Sequence, residues 1–313
     1  MAEPDVVVAC PSLALDRTLL VDRLVAGQMH RPLRVDARGG GKGGNVARVL
    51  AALGRSVHLV GIVGPADDPE ADFVIRSLRR AGIRVTALRG SATRTCTTVV
   101  EAPTATVTAF YEPAPPCVPA LWDQFATEAK AAGDGGSIFV LTGSLPPGVE
   151  ASQVAELAWA AISVSTAVVC DLAGAALAAV LPSRPDIVTP NLTEAATALD
   201  LTGELPGLEP PVDLARLLVA AGARAAVVSA GSSGAGVAST GPGAPGRVPA
   251  PAVRARNPTG AGDVLTAALA HGLRGGRPLG RSVEQAVRLA SASCTTFAAA
   301  DLPPRQEVPS WRP

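Results

Sequence analysis

Asn257-Pro258-Thr259-Gly260-Ala261-Gly262-Asp263 joins a glycine-rich turn to a carboxylate at the start of an apolar segment. Residues 264–273 carry apolar side chains at helical spacing and end at two glycines, so the turn is predicted to lie at a helix N-terminus. Unpaired backbone N–H groups and the helix dipole favour an anion there. Asp263 could accept a proton from an attacking hydroxyl, which is the arrangement that phosphoryl transfer uses. The alternative is a plain glycine-rich turn in which Asp263 only starts the helix.

A second glycine-rich loop, at residues 39–54, also leads into a helix. Its apolar side chains repeat at helical spacing and predict a buried face: Val46, Val49, Leu50 and Leu53. Asn45 and Arg48 lie on another face of the same turn, next to glycines that let a polar ligand approach the backbone closely. The loop is therefore interpreted as a binding loop for a polar ligand such as a polyol.

The same loop matches two other nucleotide-binding patterns in part. Gly39, Gly41 and Gly44 give a Gly-x-Gly-x-x-Gly match, but the acidic residue that a dinucleotide fold uses about 20 residues further on is absent. Lys42 is followed by Gly43 rather than by Ser or Thr, so the loop does not form a Walker P-loop. Both alternatives are disfavoured.

Composition and charge favour a compact enzyme. Of 313 residues, 48% are hydrophobic and 17% charged, which predicts a folded chain rather than a disordered one. Basic and acidic residues balance at 27 each, so neither a nucleic acid nor an anionic membrane is expected as a partner. No basic leader and no stretch of about 18 apolar residues is visible, which predicts a cytoplasmic location. The five scattered cysteines favour reduced thiols over disulfides or a zinc site.

Short apolar segments alternate with helical ones, which predicts a mostly parallel sheet with helices on both faces. The predicted strands are residues 57–63, 83–88, 138–141, 167–171, 187–189 and 225–229. Residues 93–112 differ, because two β-branched, half-polar runs are joined at Ala102-Pro103 and predict a hairpin with one solvent-facing side. The segment 241–246 and the chain after Leu302 lack periodicity and predict loops.

Seven short motifs cover nearly the whole chain, at residues 11–16, 40–48, 93–94, 144–148, 190–194, 228–235 and 260–263. On these motifs the chain resembles the ribokinase-like sugar kinases, the PfkB family, and within them the branch holding 1-phosphofructokinase, the minor 6-phosphofructokinases and tagatose-6-phosphate kinase. The resemblance implies a three-layer α/β/α fold with a mostly parallel central sheet, formed by residues 1–313 as a single kinase domain. It also implies a small antiparallel β lid from about 16–38 and 93–112.

The resemblance implies a sugar side of the site. Asp16 is expected to accept sugar hydroxyls, since a carboxylate can accept two at once. Arg94 is expected to bind a sugar phosphate at the lid, because its guanidinium fork suits phosphate oxygens; a surface ion pair is the alternative. The other implied sugar-side residues are Gly40, Gly41, Lys42, Asn45, Arg48 and Ser144.

A nucleotide side is implied as well. Asn191 and Glu194 lie three residues apart and are expected to hold Mg²⁺, mostly through water, on the nucleotide phosphates. A helix-capping arrangement is the alternative for this pair. The implied nucleotide rim consists of Asn191, Ser229, Gly231 and Gly234.

By this resemblance the chain is expected to be an ATP-dependent kinase that phosphorylates a primary hydroxyl of a fructose or tagatose phosphate, with Mg²⁺ as cofactor. Asp263 would be the base, and the amides of Gly260, Ala261 and Gly262 would hold the transferring group. A kinase for an unphosphorylated sugar or nucleoside is the first alternative. A catalytically idle sugar-binding regulator is the second.

Two departures from the family pattern bear on specificity. Tyr111 stands where relatives more often have Asn, and residues 299–302 replace a Pro-Gly turn, so activation by a monovalent cation stays open. A homodimer through the lid is expected, because a small sheet would otherwise expose its edges and an apolar face. That face is predicted to contain Val99, Val107 and Phe110.

Overall fold

The computed structural model describes residues 3–133, 136–201, 209–241 and 244–304. Within these ranges the chain forms thirteen strands and nine α-helices. The strands are β1 (Val6–Cys10), β2 (Ala14–Val21), β3 (Arg34–Gly40), β4 (Val57–Val63), β5 (Arg84–Arg89), β6 (Arg94–Glu101), β7 (Val107–Tyr111), β8 (Ile138–Thr142), β9 (Ala167–Asp171), β10 (Ile187–Val188), β11 (Ala225–Ser229), β12 (Ala235–Ser239) and β13 (Gly246–Val248). The helices are α1 (Gly41–Ala52), α2 (Pro69–Arg80), α3 (Pro119–Ala132), α4 (Ala151–Val164), α5 (Gly174–Val180), α6 (Leu192–Ala198), α7 (Pro210–Ala220), α8 (Ala261–Arg274) and α9 (Leu279–Ser293).

Nine strands form one large sheet in the order β13-β12-β11-β10-β9-β8-β1-β4-β5. The seven strands from β11 to β5 are parallel, and β12 and β13 continue the edge as antiparallel strands. The predicted α/β fold with a mostly parallel sheet is therefore confirmed. The prediction did not include β1, β12 or β13, although β1 lies inside the sheet between β8 and β4.

Apolar side chains fill both faces of the large sheet. Val6, Val8 and Cys10 of β1 belong to a core that includes residues of α1, α2, α8 and α9. Val7 and Ala9 point the other way, into a second core with α3, α4, α5 and α7. This alternation along one fully buried strand produces the three layers, since successive side chains of a strand leave opposite faces.

The remaining four strands form a separate sheet in the order β3-β2-β6-β7, which we call the lid sheet. Both outer pairings are antiparallel, as predicted, whereas the central pairing of β2 with β6 is parallel. Val99 was expected on the exposed face, but it lies in the inner strand β6 and is buried. Phe110 in the edge strand β7 is 58% exposed, as that expectation required.

Two predicted loops are only partly described. Residues 242 and 243 of the segment 241–246, and residues 305–313 of the C-terminal tail, lie outside the described ranges. In the described part of the chain, no helix combines the length and the apolar character needed to cross a membrane.

Candidate active site

A cleft of about 280 Å³ lies where the lid sheet meets the carboxyl ends of the parallel strands. In α/β sheets this edge is where ligands bind. Asp171 ends β9 and Ser229 ends β11, so the sheet itself supplies polar groups to the cleft. The lid sheet contributes Asp16, Arg17, Thr18, Arg94, Cys96, Thr98 and Tyr111. Loops and helix starts contribute Lys42, Asn45, Ser144, Asn191, Glu194, Gly260, Gly262 and Asp263.

The turn before α8 requires glycine at position 260. Gly260 has a φ of 80°, and a Cβ added there would lie 2.7 Å from the Cβ of Ala300. The amide of Ala261, one of the predicted anion-binding groups, donates to the carbonyl of Pro258 at 3.2 Å. This amide is therefore already hydrogen-bonded within the turn. Gly260 and Gly262 line the cleft, whereas Ala261 does not. The predicted anion site therefore lies at the first turn of α8, where helix geometry leaves amides unpaired.

One amide group connects the two central carboxylates. The Nδ2 of Asn45 donates to the Oδ2 of Asp16 at 3.2 Å and to the Oδ2 of Asp263 at 2.9 Å. The amide of Gly41 donates to the other oxygen of Asp16 at 3.1 Å. The Oδ1 of Asn45 is buried and has no hydrogen-bond partner among the described residues. Two acids from distant parts of the chain are thus held together beside an amide oxygen that is unpaired among the described residues.

Burial shifts the pKa of both carboxylates upward. For Asp263 the loss of solvent is the main cause and the charge of Asp171 adds to it, so the pKa rises to about 8 although Lys42 and Asn45 oppose the shift. Burial also raises the pKa of Asp16, against the hydrogen bonds that it accepts. Asp263 can therefore exchange a proton near neutral pH.

Lys42 lines the cleft and pairs with two acids. Its Nζ is 3.2 Å from the Oδ1 of Asp171 and 3.3 Å from the Oε1 of Glu194. The sequence predicted a phosphate-binding lysine on the sugar side and gave Asp171 no role. Asp171 is buried and accepts a hydrogen bond from the hydroxyl of Thr142 at 2.9 Å. Its place at the end of a predicted parallel strand was the signal that could have identified it.

Asn191 and Glu194 form the capping box that was the alternative for this pair. The amide of Glu194 donates to the Oδ1 of Asn191 at 2.9 Å, and the amide of Asn191 donates to the Oε2 of Glu194 at 3.0 Å. Both side chains also line the cleft. No group of three or more His, Cys, Asp or Glu side chains in the described ranges is arranged to hold a metal directly. The oxygens of Asp171 and Glu194 nevertheless converge on one cation, the ammonium of Lys42, and hard oxygen ligands of this kind suit Mg²⁺.

Arg94 begins strand β6 and lines the lid-sheet end of the cleft. Its Nε is buried without a hydrogen-bond partner among the described residues. The surface ion pair that was the alternative for Arg94 is absent from the ion pairs of the described chain. Cys96 and Tyr111 face each other across β6 and β7 and line the same end. The sequence assigned Cys96 no role there, since the register that brings it into the cleft depends on the pairing of β2 with β6.

Four further predicted residues do not line the cleft. Gly40 instead leaves room for a carboxylate, because an added Cβ would lie 2.1 Å from the Oδ2 of Asp16. Arg48 is half-buried. Burial is the main cause that lowers its pKa, and the nearby charge of Arg38 lowers the pKa further. The other two are Gly231 and Gly234, which adopt positive φ in the turn between β11 and β12.

The chain is similar to known proteins in both sequence and fold. A family model described as pfkB family carbohydrate kinase matches residues 7–305. The 1-phosphofructokinase of Rhodobacter capsulatus is 36% identical over 283 residues, which cover 89% of this chain and 85% of that protein. Escherichia coli phosphofructokinase-2 in complex with fructose-6-phosphate aligns with a TM-score of 0.83 at 24% identity over 96% of each chain. Thermotoga maritima ribokinase aligns with a TM-score of 0.73 at 22% identity, over 97% of this chain and 98% of that one. The ribokinase-like fold is confirmed.

Proposed function

Because this chain belongs to the pfkB family of carbohydrate kinases, we propose that it transfers the γ-phosphoryl group of ATP to a primary hydroxyl of a fructose or tagatose phosphate. The name of the 36% identical relative, 1-phosphofructokinase, supports a phosphorylated ketohexose as acceptor. The observation that carries the proposal is the buried Asp263 carboxylate at the start of α8, joined through Asn45 to Asp16 in the cleft that also contains Arg94.

Asp263 is the proposed base. Its raised pKa suits this role, because a base is most effective when its pKa lies close to the working pH. The reacting hydroxyl would give its proton to Asp263 while first-turn amides of α8, including that of Gly262, stabilise the transferring group. Burial of Asp263 keeps bulk water away from the same position, which favours the sugar over water as acceptor.

Three groups are proposed to bind the sugar. Asp16 would accept hydroxyl protons, and the unpaired Oδ1 of Asn45 would accept another. Arg94 would pair with the phosphate that the sugar already carries, since its buried Nε has no partner among the described residues. Gly41 would support Asp16 from the backbone, and Ser144 lines this end of the cleft.

The nucleotide is proposed to bind at the other end. Ser229 lies beside Asn191 through a single β-bridge, and Gly231 and Gly234 form the turn that follows. Asn191 and Glu194, with Asp171, would hold Mg²⁺ mostly through water, and the ion would neutralise charge on the phosphates. Lys42 lies among these acids and would contact the phosphates rather than the sugar.

The lid sheet is proposed to close over the sugar and to pair with the lid sheet of a second copy. Met29, Leu33, Val35 and Phe110 are all more than half exposed, and together they give this region an apolar surface that a homodimer would cover. A cytoplasmic location remains part of the same proposal, with small sugars or sugar phosphates as the ligands.

A substrate panel tests the proposed function. Ketohexose 1- and 6-phosphates, free fructose, free ribose and adenosine are assayed with Mg-ATP, and the Asp263→Asn variant sets the background. Preferred turnover of one ketohexose phosphate is expected. Faster turnover of a free sugar or nucleoside would favour the first alternative, and sugar binding without phosphoryl transfer would favour an idle regulator.

A further inference from the structure

Lys42 occupies a position that a metal ion could otherwise take. Asp171 and Glu194 each direct one carboxylate oxygen at the ammonium, at 3.2 and 3.3 Å. The second oxygen of each acid has its own donor, the hydroxyl of Thr142 at 2.9 Å and the backbone amide of Asn191 at 3.0 Å. The two remaining oxygens therefore form a ready cation site, and a side chain of this protein already fills it.

Two cations cannot share these two oxygens. A divalent ion bound between them would lie within a few ångströms of the ammonium, and the repulsion would be strong because the acids are largely withdrawn from solvent. The two ion pairs, at 3.2 and 3.3 Å, keep the ammonium between the acids.

The choice of lysine at this position is informative. The chain contains 25 arginines and two lysines, Lys42 and Lys130, so a primary amine is the exception here. A guanidinium would form broad, bidentate contacts with each carboxylate, whereas an ammonium is a compact point charge on a flexible stem. Lys42 is therefore suited to a partner that has to be released.

We propose that the Lys42 ammonium excludes free divalent cations from the Asp171–Glu194 pair, and that it gives up the pair only when nucleotide phosphates arrive as its new partners. This inference rests on the proposed nucleotide site. It predicts that the divalent ion enters together with the nucleotide rather than ahead of it, because the phosphates supply the negative charge that both cations need.

Mn²⁺ alone is the probe, and its binding to the full chain is measured by electron paramagnetic resonance without nucleotide or sugar. Lys42→Met should bind Mn²⁺ at least about tenfold more tightly than the unmodified protein. Lys42→Arg, which keeps the charge, should stay weak, and adding Glu194→Gln to Lys42→Met should remove the gain. Equal Mn²⁺ affinity in the unmodified protein and Lys42→Met would overturn the proposal.

Loss of the ammonium leaves two acids close together and destabilises the fold, so Lys42→Gln, whose amide can still donate to a carboxylate, is the second variant. A third measurement needs no variant. Acylation of Lys42 by an amine-reactive ester is compared by mass spectrometry with that of Lys130, which is exposed on α3. Labelling of Lys42 should stay unchanged when Mn²⁺ is added without nucleotide, and a rise in Lys42 labelling with Mn²⁺ alone would contradict the proposal. Neither readout involves phosphoryl transfer, so a failed substrate panel would not be confused with a failure here.

Discussion

The basic side chains at the two ends of the cleft, Lys42 and Arg94, differ in whether they form ion pairs. At the end formed by Asp171 and Glu194, Lys42 is paired with both acids. At the lid-sheet end, Arg94 takes part in none of the ion pairs of the described chain, and its Nε is buried without a partner there. A paired cation has to be released before it can bind a ligand, whereas an unpaired one is ready for an incoming anion. The contrast supports the proposal that a phosphate-bearing sugar binds at the Arg94 end.

The largest expected effect lies between the two ends, at Asp263. Asp263→Asn should lower kcat by at least about a hundredfold, because a positioned base contributes roughly 10²–10⁴ to the rate. The KM for ATP should change little, since the substitution removes the proton acceptor but not the nucleotide site. Steady-state kinetics measure both values, with the exposed Asp123→Asn as a control. More than a tenth of the activity remaining would exclude Asp263 as the base.

The second effect tests the unpaired end directly. Arg94→Ala should raise the KM for the best sugar phosphate about ten- to a hundredfold, which matches the loss of a charge-assisted hydrogen bond of about 1.5–3 kcal/mol. Turnover of free fructose or ribose should barely change, since those sugars offer the guanidinium no anion. Arg94→Lys keeps the charge without the planar fork and should lose less. Equal losses on phosphorylated and free sugars would show that Arg94 supports the lid sheet instead.

The third effect concerns the exposed surface of the lid sheet. Phe110→Asp should convert a homodimer into monomers, because it places a charge in the apolar surface proposed to be the interface. Size-exclusion chromatography with light scattering measures the mass at micromolar concentration. Trp159 is similarly exposed, on α4, and Trp159→Asp is the matched control that should stay dimeric. A monomeric unmodified protein would remove the lid interface from the proposal.

The smallest effect is thermodynamic. The folded protein retains the Asp263 proton up to about pH 8, whereas the unfolded chain loses it near the ordinary aspartate pKa of about 4. The folded pKa is raised, so the stability contributed by this group is present at low pH and is lost as the pH rises towards 8. Asp263→Asn should therefore melt at about 2 °C or more above the unmodified protein at pH 8.5, with a smaller difference at pH 5. Scanning calorimetry at both pH values measures the two melting temperatures. A difference in melting temperature that does not depend on pH would contradict the raised pKa of Asp263.

Local patterns predicted most of the fold. The strands from β4 to β11 in the large sheet were predictable because each is a short apolar run between turn residues. Strand β1 is equally apolar, but five buried residues near the start of the chain do not reveal that the strand lies between β8 and β4. The parallel pairing of β2 with β6 was also missed, because the hairpin pattern shows only which strands are adjacent in sequence.

The candidate site was also predictable where local motifs define it and not where it depends on long-range pairing. Asp16, Asn45, Arg94 and Asp263 lie in sequence motifs, and the structure brings all four to one cleft. Lys42 was predicted on the sugar side, and the structure pairs it with Asp171 and Glu194, which lie 129 and 152 positions further along the chain. Such pairings depend on which strand ends meet, and the sequence contains no local trace of them.

Strand β3 runs into α1 without an intervening loop, since the strand ends at Gly40 and the helix begins at Gly41. The edge of the lid sheet and the turn that holds Lys42 and Asn45 are therefore one continuous piece of chain. A designer who exchanged the lid sheet between relatives to change the accepted sugar would also shift the amide that Asp263 depends on. The exchanged segment would have to extend through Asn45. Such an exchange would therefore change the sugar selectivity and the turnover rate at the same time.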